Sequence, residues 1–160
     1  MEWRERIAAV WAGADDLDDA ELVRRIDEIA SEHPDDAIAL FERGGARDAT
    51  DDEEGAERFY RAALEAGLPD AERAQCVIQL ASTVRNLGRP EESLELLRDE
   101  FSGRAADDPL ADAAVAFAAL ALVDAGRPRE AVAALLQALA PHLPRYTGSV
   151  RAYADDLLDS

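Results

Sequence analysis

The feature that most constrains this chain is a short turn, Gly-Arg-Pro, which occurs at residues 88–90 and again at residues 126–128. Apolar residues recur at three- and four-residue steps on both sides of each turn, which is the period of an amphipathic helix. Glycine suits the left-handed end of one helix, and proline suits the first turn of the next. Two helices joined in this way form a hairpin, and its recurrence predicts a repeat protein.

Helical periodicity fills the chain and strand alternation is absent, so the sequence predicts an all-α fold of about nine helices. The predicted helices cover residues 2–12, 18–32, 36–49, 52–66, 70–87, 90–101, 110–125, 128–140 and a last segment to about 158. Asp35 or Asp36 is expected to cap the third helix, and Thr147 or Ser149 the last one.

The second helices of successive hairpins can be aligned with one another. Their aligned positions are Leu22, Ala56, Ser93 and Ala131, at spacings of 34, 37 and 38 residues. Small residues precede the last three of these positions by twelve residues, namely Gly44, Ala81 and Ala119. Larger residues follow all four by four residues, namely Ile26, Tyr60, Leu97 and Leu135. A small residue opposite a large one lets the two helices of a hairpin approach closely.

These positions resemble the tetratricopeptide repeat family, whose unit is a helix-turn-helix of about 34 residues. Residues 36–100 resemble its bacterial group five in particular, through the segments 41–46, 60–64 and 79–88. The resemblance implies one α-α superhelical domain, 1–160, with a degenerate hairpin at 1–34, hairpins at 36–70, 71–107 and 109–144, and a capping helix at 146–158. It also implies binding to a protein or peptide, with a homodimer possible, and no catalytic chemistry. Ser93 departs from the family, which usually has Ala there.

The first helix of each hairpin lines the concave face of such a superhelix, so its side chains opposite the packing stripe are the predicted partner contacts. These residues are Phe41, Gly45, Gln75, Gln79, Ser82, Arg85, Asn86 and Phe117. Three alternatives stay open. Arg85 either holds a ligand carboxylate or meets Asp48 internally, and Gly45 either admits a ligand or relieves crowding. The apolar face around Phe117 is either an open patch or is covered by Val150, Tyr153 and Leu157.

The charge pattern limits the class of partner. The net charge is −18, and all 17 basic residues are Arg. Nucleic acid backbones and anionic membranes attract basic surfaces, so we expect neither as a partner. A single cysteine, Cys76, leaves no internal disulfide, and the N-terminal residues lack an apolar run of signal-peptide length. We therefore expect a cytoplasmic location.

No catalytic, cofactor-binding or metal-binding constellation is predicted. His33 precedes Pro34 and His142 follows Pro141, each near the end of a predicted helix. Interaction with the carbonyls at that helix end explains the presence of both histidines. Cys76 has no histidine near it in sequence, which favours a buried or half-buried thiol. The sequence thus indicates a non-enzymatic module that binds a protein or peptide through its concave face.

Self-association is the first partner that we expect, with Trp3, Trp11 and Tyr153 as anchors of a dimer. The alternative is a regulatory module that senses a short signalling peptide in the same face.

Overall fold

The computed structural model describes residues 2–105 and 107–159, and these residues form nine α-helices and no strand. The helices are α1 Trp3–Ala12, α2 Asp19–Ala30, α3 Ala37–Asp48, α4 Glu53–Ala66, α5 Asp70–Asn86, α6 Pro90–Phe101, α7 Ala111–Asp124, α8 Pro128–Leu139 and α9 Thr147–Leu158. Single 3-10 turns cover Ala14–Asp16 and Ala140–His142. The predicted all-α fold is confirmed.

The chain divides into two compact units, Met1–Thr83 (unit 1) and Val84–Ser160 (unit 2), and the division falls inside α5. In unit 1, α1 packs on α2, α2 on α3 and α3 on α4. In unit 2, α6 packs on α7, α7 on α8 and α8 on α9. Within each unit these helices therefore pack on their neighbours in sequence, which is the arrangement of stacked helical hairpins.

The core of unit 1 is formed by the apolar stripes of α1, α2 and α3. Ile26 is fully buried at its centre, and burying a side chain of this size contributes about 1.5–3 kcal/mol. The other buried members are Ile7, Leu22, Ile29, Ala30, Ala39 and Ala46, with Trp3, Val10 and Trp11 packed partly buried against them.

The hairpin of α3 and α4 closes through Gly44 and Tyr60. A Cβ atom placed on Gly44 would lie 2.5 Å from Cδ1 of Tyr60, which is closer than side chains tolerate. Tyr60 is completely buried, and its hydroxyl donates a hydrogen bond of 3.1 Å to Oδ2 of Asp48. The predicted pairing of a small residue with an aromatic one is confirmed at this hairpin.

The two Gly-Arg-Pro turns have the same hydrogen bonds in unit 2. Gly88 has a φ of 81°, and Gly126 has a φ of 75°, the left-handed conformation that favours glycine. Arg89 N–H donates to the Val84 carbonyl over 3.1 Å, and Arg127 N–H donates to the Leu122 carbonyl over 2.8 Å. These bonds satisfy carbonyls at the end of the preceding helix, as in a Schellman motif. The turns therefore end α5 and α7 as the sequence predicts.

Aspartate side chains cap the N-termini of α2, α3 and α4, whereas α9 has no side-chain cap. Asp36 accepts hydrogen bonds from the N–H groups of Ile38 (2.8 Å) and Ala39 (3.1 Å). The prediction that Thr147 or Ser149 caps α9 is wrong. The capping position belongs to Tyr146, in a left-handed conformation, and the Thr147 hydroxyl donates instead to the Leu143 carbonyl.

Unit 2 has a small core in which alanines bring the helices together. Ala119, Leu122 and Ala131 are buried, and Leu94 packs against them. Ser93, where the family usually has Ala, is also buried, and its hydroxyl has no hydrogen-bond partner among the described residues. An unpaired buried hydroxyl costs free energy, so this departure weakens the unit locally.

Among the described helices, none combines the length and the apolar character that crossing a membrane requires.

Candidate functional site

A groove of about 690 Å³ lies in unit 1 and is lined by α1, α3 and α5. Its volume lies in the range of pockets that hold small ligands or peptide side chains. The lining residues are Trp3, Arg4, Ile7 and Trp11 of α1, Ile38, Phe41, Glu42, Gly45, Asp48 and Ala49 of α3, and Glu72, Gln75 and Gln79 of α5. These three helices are the first helices of their hairpins. The sequence predicts that the first helices form the face that binds a partner.

Three aromatic side chains form the apolar part of the groove. The ring of Trp3 stacks on His33 with centroids 4.8 Å apart, and Phe41 lies against Tyr60 at 5.9 Å. The Trp11 indole N–H donates a hydrogen bond of 2.7 Å to Oε2 of Glu42. Each ring is therefore held by a neighbour, so the groove presents aromatic surfaces that are already oriented.

Gly45 lies on the floor between α1 and α3. A Cβ atom at this position would contact Cζ2 of Trp11 at 3.5 Å, which is an ordinary van der Waals distance. Crowding therefore does not require glycine here, in contrast to Gly44. The missing side chain leaves the backbone of α3 accessible from the groove.

The polar part of the groove consists mainly of acceptors. Burial raises the pKa of Glu42 although the Trp11 hydrogen bond favours its ionised form. Burial also raises the pKa of Asp48, and nearby acidic residues add to the shift, while hydrogen bonds from Tyr60 and Thr83 oppose it. Within the described part of the chain, neither carboxylate forms an ion pair with an arginine. Gln79 adds a buried amide oxygen that has no hydrogen-bond partner there.

The predicted contacts separate into two groups. Phe41, Gly45, Gln75 and Gln79 lie together in the groove, whereas Ser82 is half-buried outside its lining.

Arg85, Asn86 and Phe117 belong to unit 2. The guanidinium of Arg85 donates to Oδ2 of Asp124 and to Oδ1 of Asn86, both over 2.8 Å, so it links α5 to α7. Pairing of Arg85 with Asp48 was one of the two expected roles, and it is not what the structure has. A ligand carboxylate at Arg85 would have to displace Asp124.

The apolar face of α7 is open in unit 2. Leu120 is 48 % exposed and Val123 is 51 % exposed, while Phe117 is half-buried. Helix α9 packs on α8, and Tyr153 itself is 67 % exposed. The alternative in which the last helix covers this face is therefore wrong for Leu120 and Val123.

Cys76, His33 and His142 each contact other side chains or backbone groups of the chain. Cys76 is buried, as predicted, and its thiol lies 3.6 Å from the Tyr60 carbonyl. The explanation of the two histidines by helix carbonyls is wrong. His33 stacks on Trp3, and Nε2 of His142 lies 2.9 Å from Oδ2 of Asp112.

The sequence pattern predicts Trp3 and Trp11 at a dimer contact. It places Glu42 and Asp48 on the concave face of the third helix, but the predicted partner contacts do not include them. The available signal was the spacing of Trp3, Ile7 and Trp11, which places all three on one face of α1. That face packs beside α3, as the hydrogen bond from Trp11 to Glu42 shows.

Comparison with known proteins agrees with the fold. The family model for the tetratrico peptide repeat, group five, matches residues 37–157. No curated protein matches the sequence. A solved structure, "Crystal structure of MamA protein", is similar with a TM-score of 0.66 and 17 % sequence identity, and the match covers 86 % of this chain and 72 % of that chain. At this identity the likeness concerns the fold alone. Because the family model covers most of its length, the chain belongs to the tetratricopeptide repeat family.

Proposed function

We propose that this protein is a non-enzymatic interaction module that binds a peptide segment of a partner protein in the groove of unit 1. Tetratricopeptide repeats are protein–protein interaction modules, and members of the family generally act as scaffolds without catalysis. The observation that carries the proposal is the groove itself. The first helices of three successive hairpins, α1, α3 and α5, line one cavity of about 690 Å³. No side chain of the described residues fills this cavity.

The groove offers both kinds of contact that a peptide needs. Trp3, Trp11 and Phe41 provide oriented aromatic surface for apolar side chains. Gln75 is exposed, and Gln79 has an unpaired amide oxygen, so both can bond to the backbone of an extended peptide. A protein or peptide partner also agrees with the net charge of −18, which disfavours nucleic acid and anionic membranes.

Filling the groove at Gly45 is expected to weaken peptide binding without unfolding the protein. Gly45→Leu adds a side chain beside Trp11, where the first added carbon makes only ordinary contact. We expect affinity for peptides selected from an end-blocked synthetic library to fall at least about tenfold, which is about 1.4 kcal/mol. Both tryptophans of the chain line the groove, so their fluorescence measures binding directly.

The matched control is Gly45→Ala, which adds one methyl group and is expected to keep most of the affinity. Thermal unfolding of both variants verifies that they are folded. Equal affinity of the wild type and Gly45→Leu would show that the peptide binds elsewhere, and the assignment of the groove would then be wrong. Failure of every library peptide to bind would overturn the proposed function.

Self-association is a second candidate function, and an apolar stripe on α8 supports it. Val132, Leu135 and Leu139 recur at three- and four-residue steps and are 47 %, 43 % and 48 % exposed. Exposed apolar stripes of this kind are typical of contacts between proteins. Tyr153 of α9 is a further exposed aromatic anchor in unit 2. Trp3 and Trp11 are in the groove, so we assign the contact between copies to α8 and α9.

We expect the wild type to sediment as a dimer at high micromolar concentration and a Leu135→Glu, Leu139→Glu double variant to sediment as a monomer. The introduced carboxylates would be desolvated in the contact, which is unfavourable. An Ala116→Glu variant, which adds a carboxylate at an exposed position of α7 outside the stripe, serves as the control. A strictly monomeric wild type at these concentrations would contradict self-association.

A further inference from the structure

The groove of unit 1 holds two carboxylates, Glu42 and Asp48, that have no arginine partner among the described residues. Two other carboxylates with reduced solvent exposure pair with arginine. Asp27 accepts from Arg47 over 2.8 Å, and Glu100 accepts from Arg104 over 2.6 Å. Glu42 and Asp48 are also half-buried, yet their described hydrogen bonds come from an indole and from hydroxyl groups. A buried charge is costly unless it is paired, and these two carboxylates have no cationic partner among the described residues.

The charge of the groove lining points in the same direction. Glu42, Asp48 and Glu72 are acidic, and Arg4 is the one basic residue among the described lining residues. Glu53 and Asp51 add negative charge close to Asp48. The buried oxygen of Gln79 is a further acceptor that lacks a donor in the described residues. Electrostatic complementarity therefore favours a ligand that is positively charged and rich in hydrogen-bond donors.

The aromatic neighbours favour arginine over lysine as the source of that charge. The hydrogen bond from Trp11 to Glu42 holds an indole ring and a carboxylate side by side. A guanidinium is planar, stacks on aromatic rings and directs several N–H groups at carboxylates, whereas an ammonium is a compact and strongly hydrated charge. Phe59 already carries stacked guanidinium groups in this chain, with Arg43 and Arg47 centred 4.3 Å and 4.4 Å from its ring centroid.

We propose that the groove selects a basic peptide segment of the partner protein, that an arginine side chain of this segment binds Glu42 beside Trp11, and that Asp48 attracts the same segment. This inference rests on the proposed peptide-binding function and specifies its ligand. The ligand is thus positively charged. A ligand with a negatively charged terminal carboxylate would be repelled by the same residues. The occupant is a positively charged protein segment, because the surface of this chain, with a net charge of −18, also attracts one.

The test is selection from an end-blocked synthetic peptide library by the full chain, followed by affinity measurement with purified peptides. We expect the bound peptides to be enriched in arginine relative to the input library. Replacing the selected arginine by citrulline, which keeps the shape and removes the charge, should weaken binding at least tenfold, and replacement by lysine should weaken it less. Affinity should fall as salt concentration rises.

Variants of the protein distinguish specific binding at Glu42 and Asp48 from nonspecific binding of peptides. Glu42→Gln and Asp48→Asn keep an acceptor for Trp11 and Tyr60 but remove the charge, so each should weaken binding about tenfold. Both variants should unfold at a temperature equal to or above that of the wild type, since a buried unpaired charge is lost. Glu65→Gln is the matched control, because Glu65 is exposed on α4 outside the groove lining.

The outcomes distinguish this proposal from the one on which it rests. Peptides that bind in the groove without enrichment in basic residues, and that lose nothing in Glu42→Gln or Asp48→Asn, would overturn the arginine assignment and leave the proposed function intact. Binding that Gly45→Leu does not affect, or the absence of binding by any library peptide, would overturn both. Equal losses in Glu65→Gln would attribute the effect to net charge and overturn the assignment to the groove.

Discussion

Gly44→Ala is expected to destabilise the protein by about 2 kcal/mol, because overpacking a core usually costs about 1–3 kcal/mol. The added Cβ would lie 2.5 Å from Cδ1 and 2.6 Å from Cε1 of Tyr60. Tyr60 cannot move aside easily, since its side chain is completely buried and its hydroxyl is bonded to Asp48. The gain in helix propensity from glycine to alanine, about 1 kcal/mol at most, offsets only part of the clash.

The neighbouring glycine gives a matched control. Gly45→Ala lies on the same helix and gains the same propensity, but its Cβ meets Trp11 at an ordinary 3.5 Å. We therefore expect a stabilisation of about 0.5 kcal/mol. Urea or thermal unfolding measures both variants, and about 2 kcal/mol corresponds to a fall of about 4–8 °C in Tm for a chain of this size. Equal effects of the two substitutions would mean that Gly44 and Tyr60 are not in tight contact.

Asp27→Asn is expected to destabilise the protein by about 2–3 kcal/mol at neutral pH, by analogy with the cost of breaking partly buried ion pairs. One carboxylate of α2 binds two arginines of α3, with 2.8 Å to Nε of Arg43 and 2.8 Å to Nη2 of Arg47. The side chain of Arg47 is only 12 % exposed. Removing the carboxylate charge takes away the counter-ion that two guanidinium groups over Phe59 share, and it leaves Arg47 only the more distant Asp52, 3.8 Å from its Nε.

The pH dependence of this effect has a definite sign. Burial alone raises the pKa of Asp27, but the hydrogen bonds from Arg47 and Arg43 outweigh it, and the pKa is lowered in the folded state. A lowered carboxyl pKa contributes stability that is present above the unfolded pKa, about 3.9, and is lost as pH falls through the folded value. The stability difference between wild type and Asp27→Asn should therefore be constant near neutral pH and shrink below about pH 4.

Glu32→Gln is the control for the ion pair. Glu32 and Arg6 form two hydrogen bonds of 2.8 Å, but both side chains are largely exposed. Exposed pairs contribute less than about 1 kcal/mol, so this variant should change stability only slightly. If Glu32→Gln cost as much as Asp27→Asn, burial at the contact of α2 and α3 would not be the cause.

The fold was largely predictable because its signals are local. The turn at Gly88 and the cap at Asp36 depend on residues a few positions apart, and both are found where the sequence predicts them. The pairing of Gly44 with Tyr60 was predictable for a different reason, since the repeat register relates positions in two successive helices. The start of α9 was not predictable from side-chain caps, because Tyr146 begins the helix through its left-handed backbone.

The candidate site was predictable only in part, because its contacts link residues far apart in sequence. The partner of Arg85 is Asp124, 39 residues away, and the partner of Trp11 is Glu42, 31 residues away. Periodicity places a side chain on a face of its own helix but does not identify the side chain across from it. The assignment of Phe41, Gly45, Gln75 and Gln79 to partner binding remains a prediction, although the structure brings these four together.

The position of α1 in the groove places part of the proposed binding surface outside the matched repeats. The family model begins at residue 37, so the repeats it describes supply α3 and α5 of the groove but not Trp3 and Trp11. One wall of the groove is thus built by a helix outside the matched repeats. A substitution confined to α1 would therefore change the proposed binding surface without changing any matched repeat.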